Sequence, residues 1–262
     1  MSKKSYIAIG NRLNGVPEVI TLGTRPNFYD YNEEERKIII ASNNILYPTL
    51  NYAQLFQTMG KAIFPSLETY IYADEKIKQT TLFYMLGIPH PITRFYYPLH
   101  HHQIIRDFRF PFIAKLPRAS AGGRGIFLIE DEAGLASYLK ATKIAYIQEY
   151  LPHKRDVRVI LINYQPVLAY WRESIKGEFK TNISQGGTIL FSGVPEEAIE
   201  RARVYSRQCR FNDVGLDLLF YNKTWYLLEA NMKYGRKALE MKGMNLKEII
   251  RQKLLSGDLF GP

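Results

Sequence analysis

Three polar side chains in two apolar runs near the C-terminus have the types and spacing of a metal site. Residues 215–231 read GLDLLFYNKTWYLLEAN, and Asp217, Glu229 and Asn231 interrupt runs that would otherwise be core. Two runs rich in Leu, Phe, Tyr and Trp around a polar Asn-Lys-Thr turn predict a β-hairpin. Because side chains alternate faces along a strand, Glu229 and Asn231 share one face.

The spacing of the two carboxylates decides whether they meet. Asp217 lies twelve positions before Glu229, and a three-residue turn at 222–224 places these residues opposite each other. Two carboxylates and an amide oxygen then converge, and such oxygen ligands suit magnesium that also holds nucleotide phosphates. The alternative is a set of edge-strand polar residues that face water.

A glycine-rich stretch suggests phosphate binding. Residues 112–129 read FIAKLPRASAGGRGIFLI and predict a strand, a loop and a second strand, with Lys115 ending the first strand. Glycine allows close backbone approach and the positive φ angles that aim N–H groups at phosphate oxygens. The spacing differs from a Walker loop, in which glycine and lysine open a helix. A flexible turn is the alternative, but a lysine at the end of a buried strand needs an anionic partner. The loop residues of interest are Ser120, Gly122, Gly123 and Gly125.

The composition is that of an ordinary globular protein. With 262 residues, 46% apolar and 23% charged, the chain can form one large domain or two to three small subdomains. No apolar run reaches the roughly 18 residues that a membrane-spanning helix needs, and the N-terminus lacks the apolar core of a signal peptide. The single cysteine, Cys209, excludes an intramolecular disulfide framework, so we expect a cytoplasmic location.

The charge balance predicts an anionic partner. The chain has 35 Lys and Arg against 25 Asp and Glu, a formal charge of +10. Nucleic acid or an acidic small substrate with ATP would match this charge. Common nucleic-acid-binding motifs and zinc-ligand spacings are absent, so we do not expect a nucleic-acid partner. The run His100–His102 follows Pro98 and is predicted to be a loop without a metal.

Helices and strands must position these residues. Near the N-terminus, Lys37 to Ala41 is predicted to be a buried strand, Asn51 to cap a helix through Met59, and Ile63-Phe64 to begin a strand. Asp74 is predicted to cap a helix to Leu86 that carries Lys76. Further strands are expected at 93–97, 145–151, 159–162 and 167–171, and further helices at 131–141, after Pro195 and after Asn245. The face of the helix after Pro195 contains Ala198, Ala202, Tyr205 and Cys209.

The order of these parts resembles the ATP-grasp superfamily, and specifically the RimK-like alpha-L-glutamate ligases, which are carboxylate-amine ligases. The similarity runs from about Ile38 to the C-terminus. Each anchor is weak alone, but their common order is specific. The anchors are 74–87 with Pro89, Lys115 with the glycine loop, QEYL at 148–151, Asp156-Val157-Arg158, Arg172, 179–182, Gly186-Gly187, GLDLL at 215–219 and LEAN at 228–231.

The resemblance implies an α+β fold in which two α+β subdomains clamp ATP. A short, reduced α/β N-terminal domain would span 1–72, and the ATP-grasp domain 73–262. Within the latter, a lid subdomain would cover about 93–147 and a catalytic subdomain about 148–262.

The resemblance also implies roles for single residues. Lys76 and Lys115 would contact phosphates, and the glycine loop would close over the β- and γ-phosphates. Asp217, Glu229 and Asn231 would hold the metal. Arg158 and Arg172 would stabilise the transferred phosphoryl group. The remaining nucleotide contacts would come from Gln148, Glu149, Tyr150, Leu151, Asp156, Lys180, Thr181 and Asn182, with Glu149 and Tyr150 bracketing adenine through backbone groups. A surface ion pair between Asp156 and Arg158, and a solvated Arg172, are the alternatives.

The implied reaction is ATP- and Mg²⁺-dependent joining of a carboxylate to an amine through an acyl phosphate, with two magnesium ions that Mn²⁺ could replace. The acceptor would be a small-molecule or peptide carboxylate, and the amine an amino acid such as glutamate. A homo-oligomer is left open, and no membrane partner is expected. The alternatives are a phosphotransferase on the same fold and a non-catalytic nucleotide-dependent binding protein.

Three departures from the family pattern concern the substrate. Asn231-Met232-Lys233-Tyr234-Gly235 lacks the proline of the usual Asn-x-x-Pro-Gly pattern. Lys180 stands where an arginine is usual, which keeps the charge but loses the bidentate fork. The N-terminal region is shorter than the usual first domain, which helps to shape the acceptor site.

Overall fold

A small parallel sheet forms the N-terminal part of the chain. The computed structural model describes residues 6–118, 125–174 and 187–260. The strands β1 (Tyr6–Ala8), β2 (Val19–Thr21), β3 (Asn44–Leu46) and β4 (Ala62–Phe64) have the order β2-β1-β3-β4. The helices of this part are α1 (Glu33–Ala41), α2 (Thr49–Thr58) and α3 (Leu67–Ile71). The expected small α/β unit and the strand at Ile63-Phe64 are confirmed. Within the described ranges, no helix combines the length and hydropathy needed to cross a bilayer.

The strand predicted at Lys37–Ala41 is wrong, because these residues form the second half of α1. The Asn32 side chain accepts a hydrogen bond from the backbone N–H of Glu35, and the Glu35 carboxylate accepts one from the backbone N–H of Asn32, which together form a capping box. Of the three isoleucines, Ile39 is buried while Ile38 and Ile40 are exposed. One buried residue among three consecutive isoleucines is typical of a helix that packs with one face on a sheet. The nearest strand, β3, begins only after this helix ends.

Two predicted helix caps are also wrong. Asn51 lies inside α2, and Pro48 occupies the N-cap position. Asp74 precedes helix α4 (Lys76–Met85) by two residues in a left-handed conformation with φ of 58°, and Glu75 stands at the cap position. The Asp74 carboxylate instead accepts a hydrogen bond from Lys233.

An antiparallel sheet, here called the middle sheet, follows. Its strands are β5 (Thr93–Tyr96), β6 (Phe112–Lys115), β7 (Ile126–Ile129) and β8 (Ala145–Glu149), in the order β5-β8-β6-β7. Helix α5 (Ile104–Asp107) and helix α6 (Glu132–Lys140), which Asp131 caps, belong to the same region. The predicted strands around the glycine loop and the helix after Asp131 are confirmed. The predicted loop at His100–His102 is wrong, since Pro98–Gln103 form a 3₁₀ helix.

A five-stranded antiparallel sheet, here called the C-terminal sheet, completes the fold. It contains β9 (Arg155–Ile162), β10 (Gln165–Glu173), β11 (Thr188–Leu190), β12 (Asp213–Tyr221) and β13 (Thr224–Asn231), in the order β11-β10-β9-β12-β13. The remaining helices are α7 (Glu196–Gln208), α8 (Lys237–Met241) and α9 (Leu246–Leu255). The predicted apolar face of α7 is confirmed, because Ala198, Ala202, Tyr205 and the adjoining Cys209 are all buried against the sheet.

The hairpin at β12 and β13 is confirmed, with a turn that differs from the predicted one. Asn222 and Lys223 form a two-residue loop with φ of 46° and 62°, and Tyr221 pairs with Thr224. Such a loop alone would place Asp217 opposite Leu228. A register shift between Asp217 and Leu218 moves the pairing by one residue, so Asp217 does lie opposite Glu229.

Candidate active site

A cleft with about 690 Å³ of empty space opens between the middle sheet and the hairpin of the C-terminal sheet. The candidate residues on its wall are Lys115, Gln148, Glu149, Tyr150, Leu151, Asp156, Arg172, Asp217 and Glu229. Three further candidates do not line the cleft but contact residues that do: Lys76 contacts Glu229, and Arg158 and Asn231 contact Asp217. Ser120, Gly122, Gly123, Lys180, Thr181 and Asn182 lie outside the described residues.

Asp217 is the centre of a buried ionic cluster. It is 4% exposed, and its carboxylate accepts from Arg158 Nε at 2.5 Å and Arg158 Nη2 at 2.6 Å. Arg172 Nη2 lies 3.0 Å from the same carboxylate, and Asn231 Nδ2 donates to it at 3.1 Å. Burial by itself would raise the pKa of Asp217, but Arg158 and Arg172 outweigh burial and lower it. The carboxylate is therefore charged and fixes both guanidinium groups.

Arg172 joins a second carboxylate to this cluster. It is 3% exposed, and its Nε donates to Asp156 at 2.7 Å. The pairing of β9 with β10 explains the contact, because Asp156 lies directly opposite Arg172. The alternative predictions, a surface ion pair between Asp156 and Arg158 and a solvent-exposed Arg172, are both wrong. Asp156 and Arg158 are both buried and point to different partners, Arg172 and Asp217.

Lys76, on α4, contacts the cleft wall through Glu229, and α4 packs against β13. Gln79, one turn further along α4, exchanges two hydrogen bonds with the backbone of Ala230. Because β13 is the edge of its sheet, these bonds satisfy backbone groups that would otherwise lack partners. The same docking places Lys76 Nζ 3.1 Å from Glu229 Oε1.

Lys115 is a buried cation at the inner end of the cleft. It is 7% exposed, and its Nζ lies 5.5 Å from the ring centroid of Tyr146, whose hydroxyl is hydrogen-bonded to Thr80. Among the described residues no carboxylate lies within 4.0 Å of its ammonium. Burial lowers the pKa of Lys115 to about 8, with Glu229 opposing the change and Lys76 adding to it. An anion in the cleft would relieve this cost.

The end of β8 and the residues that follow it, 148–151, line the cleft on the side of the middle sheet, beside β6. The Glu149 N–H donates to the carbonyl of Ile92, and the Glu149 carboxylate accepts from the Ile92 N–H at 2.7 Å. Gln148 Nε2 donates to Thr93 at 2.8 Å. Both side chains are thus engaged within the middle sheet, and the Leu151 carbonyl lies 2.6 Å from His153 Nδ1, so Tyr150 and the Leu151 N–H are the backbone groups that could meet a ligand.

Apolar wall residues escaped the sequence reasoning. Ile113 and Ile126 line the cleft from the middle sheet, and Leu219 and Leu228 from the hairpin. The period of two along a strand could have identified two of them, because Ile113 is two residues from Lys115 and Leu219 two from Asp217. These four side chains line the apolar part of the cleft, here called the apolar slot.

A third buried carboxylate, Asp213, was not among the residues predicted from the sequence. Asp213 accepts from Tyr234 at 2.7 Å, from Arg12 at 2.9 Å and from Tyr47 at 3.0 Å. It connects the N-terminal sheet to β12. Tyr234 packs over Gly215, where an added Cβ would lie 2.9 Å from Tyr234 Cβ. Tyr234, which stands where the family pattern usually has a proline, therefore helps to hold the N-terminal sheet against β12.

The donor set fits a magnesium ion. Asp217, Glu229 and Asn231 supply only oxygen ligands on paired strands, and a quarter of the Glu229 side chain is exposed. In the described ranges, no cluster of three or more His, Cys, Asp or Glu is arranged to hold a metal. A metal would share the Asp217 oxygens with Arg158, Arg172 and Asn231, and the Glu229 carboxylate with Lys76.

Comparison with known families identifies the group to which this architecture belongs. A family model described as RimK-like ATP-grasp domain matches residues 73–254. The chain belongs to the RimK-like ATP-grasp family. The crystal structure of a RimK domain ATP-grasp protein from Sphaerobacter thermophilus superposes with a TM-score of 0.66 at 12% identity, covering 95% of this chain and 98% of that chain. The ATP-grasp fold expected from the sequence is confirmed.

RimK-like relatives among curated proteins are named as ligases. A probable alpha-L-glutamate ligase of Parasynechococcus marenigrum is 27% identical over 211 residues, which are 75% of this chain and 45% of that protein. A probable alpha-L-glutamate ligase of Pseudomonas paraeruginosa is 28% identical over 214 residues, 76% of this chain and 69% of that protein. The match thus spans about half to two thirds of these RimK-like proteins.

Proposed function

We propose that the protein is an ATP- and Mg²⁺-dependent ligase that joins a carboxylate to an amine through an acyl phosphate. The observation that supports this most is the charge arrangement at the inner end of the cleft. Four cations, Lys76, Lys115, Arg158 and Arg172, surround three carboxylates there. The excess of one positive charge suits a triphosphate that arrives with a divalent ion.

In this proposal the adenine lies in the apolar slot against Tyr150 and Leu151. Lys115 and Lys76 bind the phosphates, and the glycine loop at 120–125 covers them. Gln148, Glu149 and Asp156 shape the nucleotide wall. Lys180, Thr181 and Asn182 complete the phosphate contacts.

The arginines act on the transferred group. An oxygen of the acceptor carboxylate attacks the γ-phosphorus, and the bond from that phosphorus to ADP breaks. Charge grows on the phosphoryl oxygens, which Arg158 and Arg172 stabilise because Asp217 and Asp156 hold them in place. Asp217, Glu229 and Asn231 would hold magnesium, which would neutralise phosphate charge. The amine nitrogen then attacks the acyl carbon, phosphate leaves, and the amine proton passes to water.

The charge of the chain and the names of the relatives support the proposed substrates. The names of the relatives favour glutamate as the amine, and the charge of +10 favours an acidic acceptor. The division into an N-terminal domain (1–72) and an ATP-grasp domain (73–262) is part of the proposal. The lid boundary is best placed after Glu149, because β8 pairs with β5 and β6 to its last residues.

A screen for ADP and free phosphate over pairs of carboxylates and amines tests the proposal. A ligase releases both products, and only when both substrates are present. A phosphotransferase, the second candidate, forms ADP without free phosphate, and a binding protein forms neither. Either of those outcomes across a broad screen would contradict the ligase.

A further inference from the structure

His153 is a polar residue of the cleft wall to which the proposed reaction gives no role. It lies in the segment between β8 and β9, is partly buried, and lines the same cleft as the apolar slot and the ionic cluster around Asp217. Its Nδ1 lies 2.6 Å from the carbonyl oxygen of Leu151. Within the described ranges, no hydrogen bond or ion pair engages its Nε2.

The hydrogen bond to Leu151 determines what the other ring nitrogen can do. A carbonyl oxygen can only accept, so Nδ1 of His153 carries the proton and donates it. In the neutral ring, Nε2 then has a free lone pair and is an acceptor. A ligand group that meets His153 at Nε2 is therefore a hydrogen-bond donor such as a hydroxyl. A phosphate oxygen without a hydrogen cannot make this contact.

The carboxylates of the cleft wall differ from His153 because protein donors already occupy them. Among the described wall residues, each carboxylate has such a donor: Asp156 has Arg172, Asp217 has Arg158, Glu229 has Lys76 and Glu149 has the Ile92 N–H. A ligand hydroxyl would share these oxygens with the protein donors. At Nε2 of His153 it would meet an acceptor that no described residue uses.

His153 lies between the two parts of the cleft that the proposed function gives to the base and to the phosphates. Leu151, two residues earlier, adjoins the apolar slot, and Asp156, three residues later, belongs to the ionic cluster. A nucleotide has the same order, because its ribose connects the base to the phosphates. The ribose hydroxyls are the hydrogen-bond donors of that middle part.

We propose that Nε2 of His153 accepts a hydrogen bond from a ribose hydroxyl of the bound nucleotide and so makes the cleft selective for ribonucleotides. This inference rests on the proposed binding of ATP in the cleft and adds a residue that determines nucleotide specificity. One hydrogen bond between neutral groups corresponds to about threefold to tenfold in affinity.

Calorimetric binding of ADP, 2′-deoxy-ADP and 3′-deoxy-ADP, each with magnesium, tests the proposal. The wild type should bind ADP about threefold to tenfold more tightly than one of the two deoxynucleotides, which identifies the hydroxyl. His153→Asn should lose this preference, because the asparagine amide nitrogen can replace Nδ1 towards Leu151 while nothing replaces Nε2. His153→Gln, whose amide oxygen can reach the position of Nε2, should retain part of the preference.

His90→Asn is the matched control. His90 makes the same local contact, with its Nδ1 2.7 Å from the carbonyl oxygen of Ile88 two residues earlier, and it is likewise partly buried. It does not line the cleft, so the control should keep the wild-type preference for ADP. Thermal melting of each variant shows whether the fold is intact.

The outcomes separate this inference from the proposed function. A wild type that binds all three nucleotides equally, or a His153→Asn variant that keeps the full preference, would overturn the ribose contact. If His153→Asn weakens all three nucleotides by the same factor, His153 only supports the chain at Leu151 and the inference is also wrong. A stronger preference in His153→Asn than in His153→Gln would contradict the role of Nε2.

Two further results distinguish the contact from the ligase. If the preference depends on His153 but no carboxylate and amine pair releases ADP and phosphate, the ribose contact stands and the ligase function fails. Absence of ADP binding by the wild type would overturn both.

Discussion

Replacing Lys115 by methionine should make the protein more stable and a poorer nucleotide binder. Burial lowers the pKa of this lysine from 10.5 to about 8, and each pH unit corresponds to about 1.4 kcal/mol. The charged lysine therefore costs roughly 3 kcal/mol of folding free energy at pH 7 in the absence of an anion. Methionine has nearly the same shape and no charge, so Lys115→Met should recover much of that free energy.

The difference in stability between the wild type and Lys115→Met should depend on pH. Between pH 8 and 10.5 the unfolded lysine is protonated while the folded one is not, so the wild type gains stability as the pH rises. The stability advantage of Lys115→Met should be largest below pH 8 and should shrink towards pH 10.5. Urea unfolding across this range measures it. Lys78→Met, at an exposed position of α4, is the control and should change the free energy of unfolding by less than about 0.5 kcal/mol.

The same variant should lose nucleotide affinity. A charge-assisted contact to phosphate is worth about 1.5–3 kcal/mol, so Mg-ADP should bind roughly tenfold to a hundredfold more weakly. A variant that is less stable than the wild type at pH 7, or that binds Mg-ADP as tightly, would refute the account of Lys115 as a buried cation held for phosphate.

Three further substitutions test the catalytic cluster and its supports. Arg172→Lys keeps the charge but loses the fork, so turnover should fall by about a hundredfold while ATP affinity changes by a few fold, as steady-state kinetics will show. Asp217→Asn removes the counter-charge of two buried guanidinium groups and should lower the free energy of unfolding by about 3 kcal/mol, as denaturant titration measures. Because the pKa of Asp217 is lowered, this loss should persist as the pH falls to about 4. Gly215→Ala forces a Cβ to within 2.9 Å of Tyr234 and should cost about 1–3 kcal/mol, whereas Gly235→Ala meets no atom within 4 Å and should cost little.

The hairpin shows what the sequence could and could not predict. The strands, the shared face of Glu229 and Asn231, and the pairing of Asp217 with Glu229 are all present. The predicted three-residue turn is wrong, and the pairing survives because a register shift compensates for the shorter loop. The alternation of apolar and polar residues predicts the strands and which side chains share a face of the sheet. The position of a register shift depends instead on how β12 packs against its neighbours.

The errors elsewhere have similar causes. KIIIA has the β-branched composition of a strand, but the capping box at Asn32 and Glu35 and the acidic first turn start a helix that includes it. The partners of Asp156 and Arg158 could not be read from their closeness in sequence, because cross-strand register decides them. Asp213 escaped notice since its three donors come from residues 12, 47 and 234, far apart in the chain.

Transfer of ¹⁸O from a labelled acceptor carboxylate to inorganic phosphate would show whether the reaction passes through an acyl phosphate. When a carboxylate oxygen attacks the γ-phosphorus and the acyl phosphate is then opened by an amine, the bridging oxygen leaves with the phosphate. With a productive pair of substrates, we predict one labelled oxygen in each phosphate released. Phosphate without label, or label retained in a phosphorylated product, would contradict the acyl-phosphate ligase.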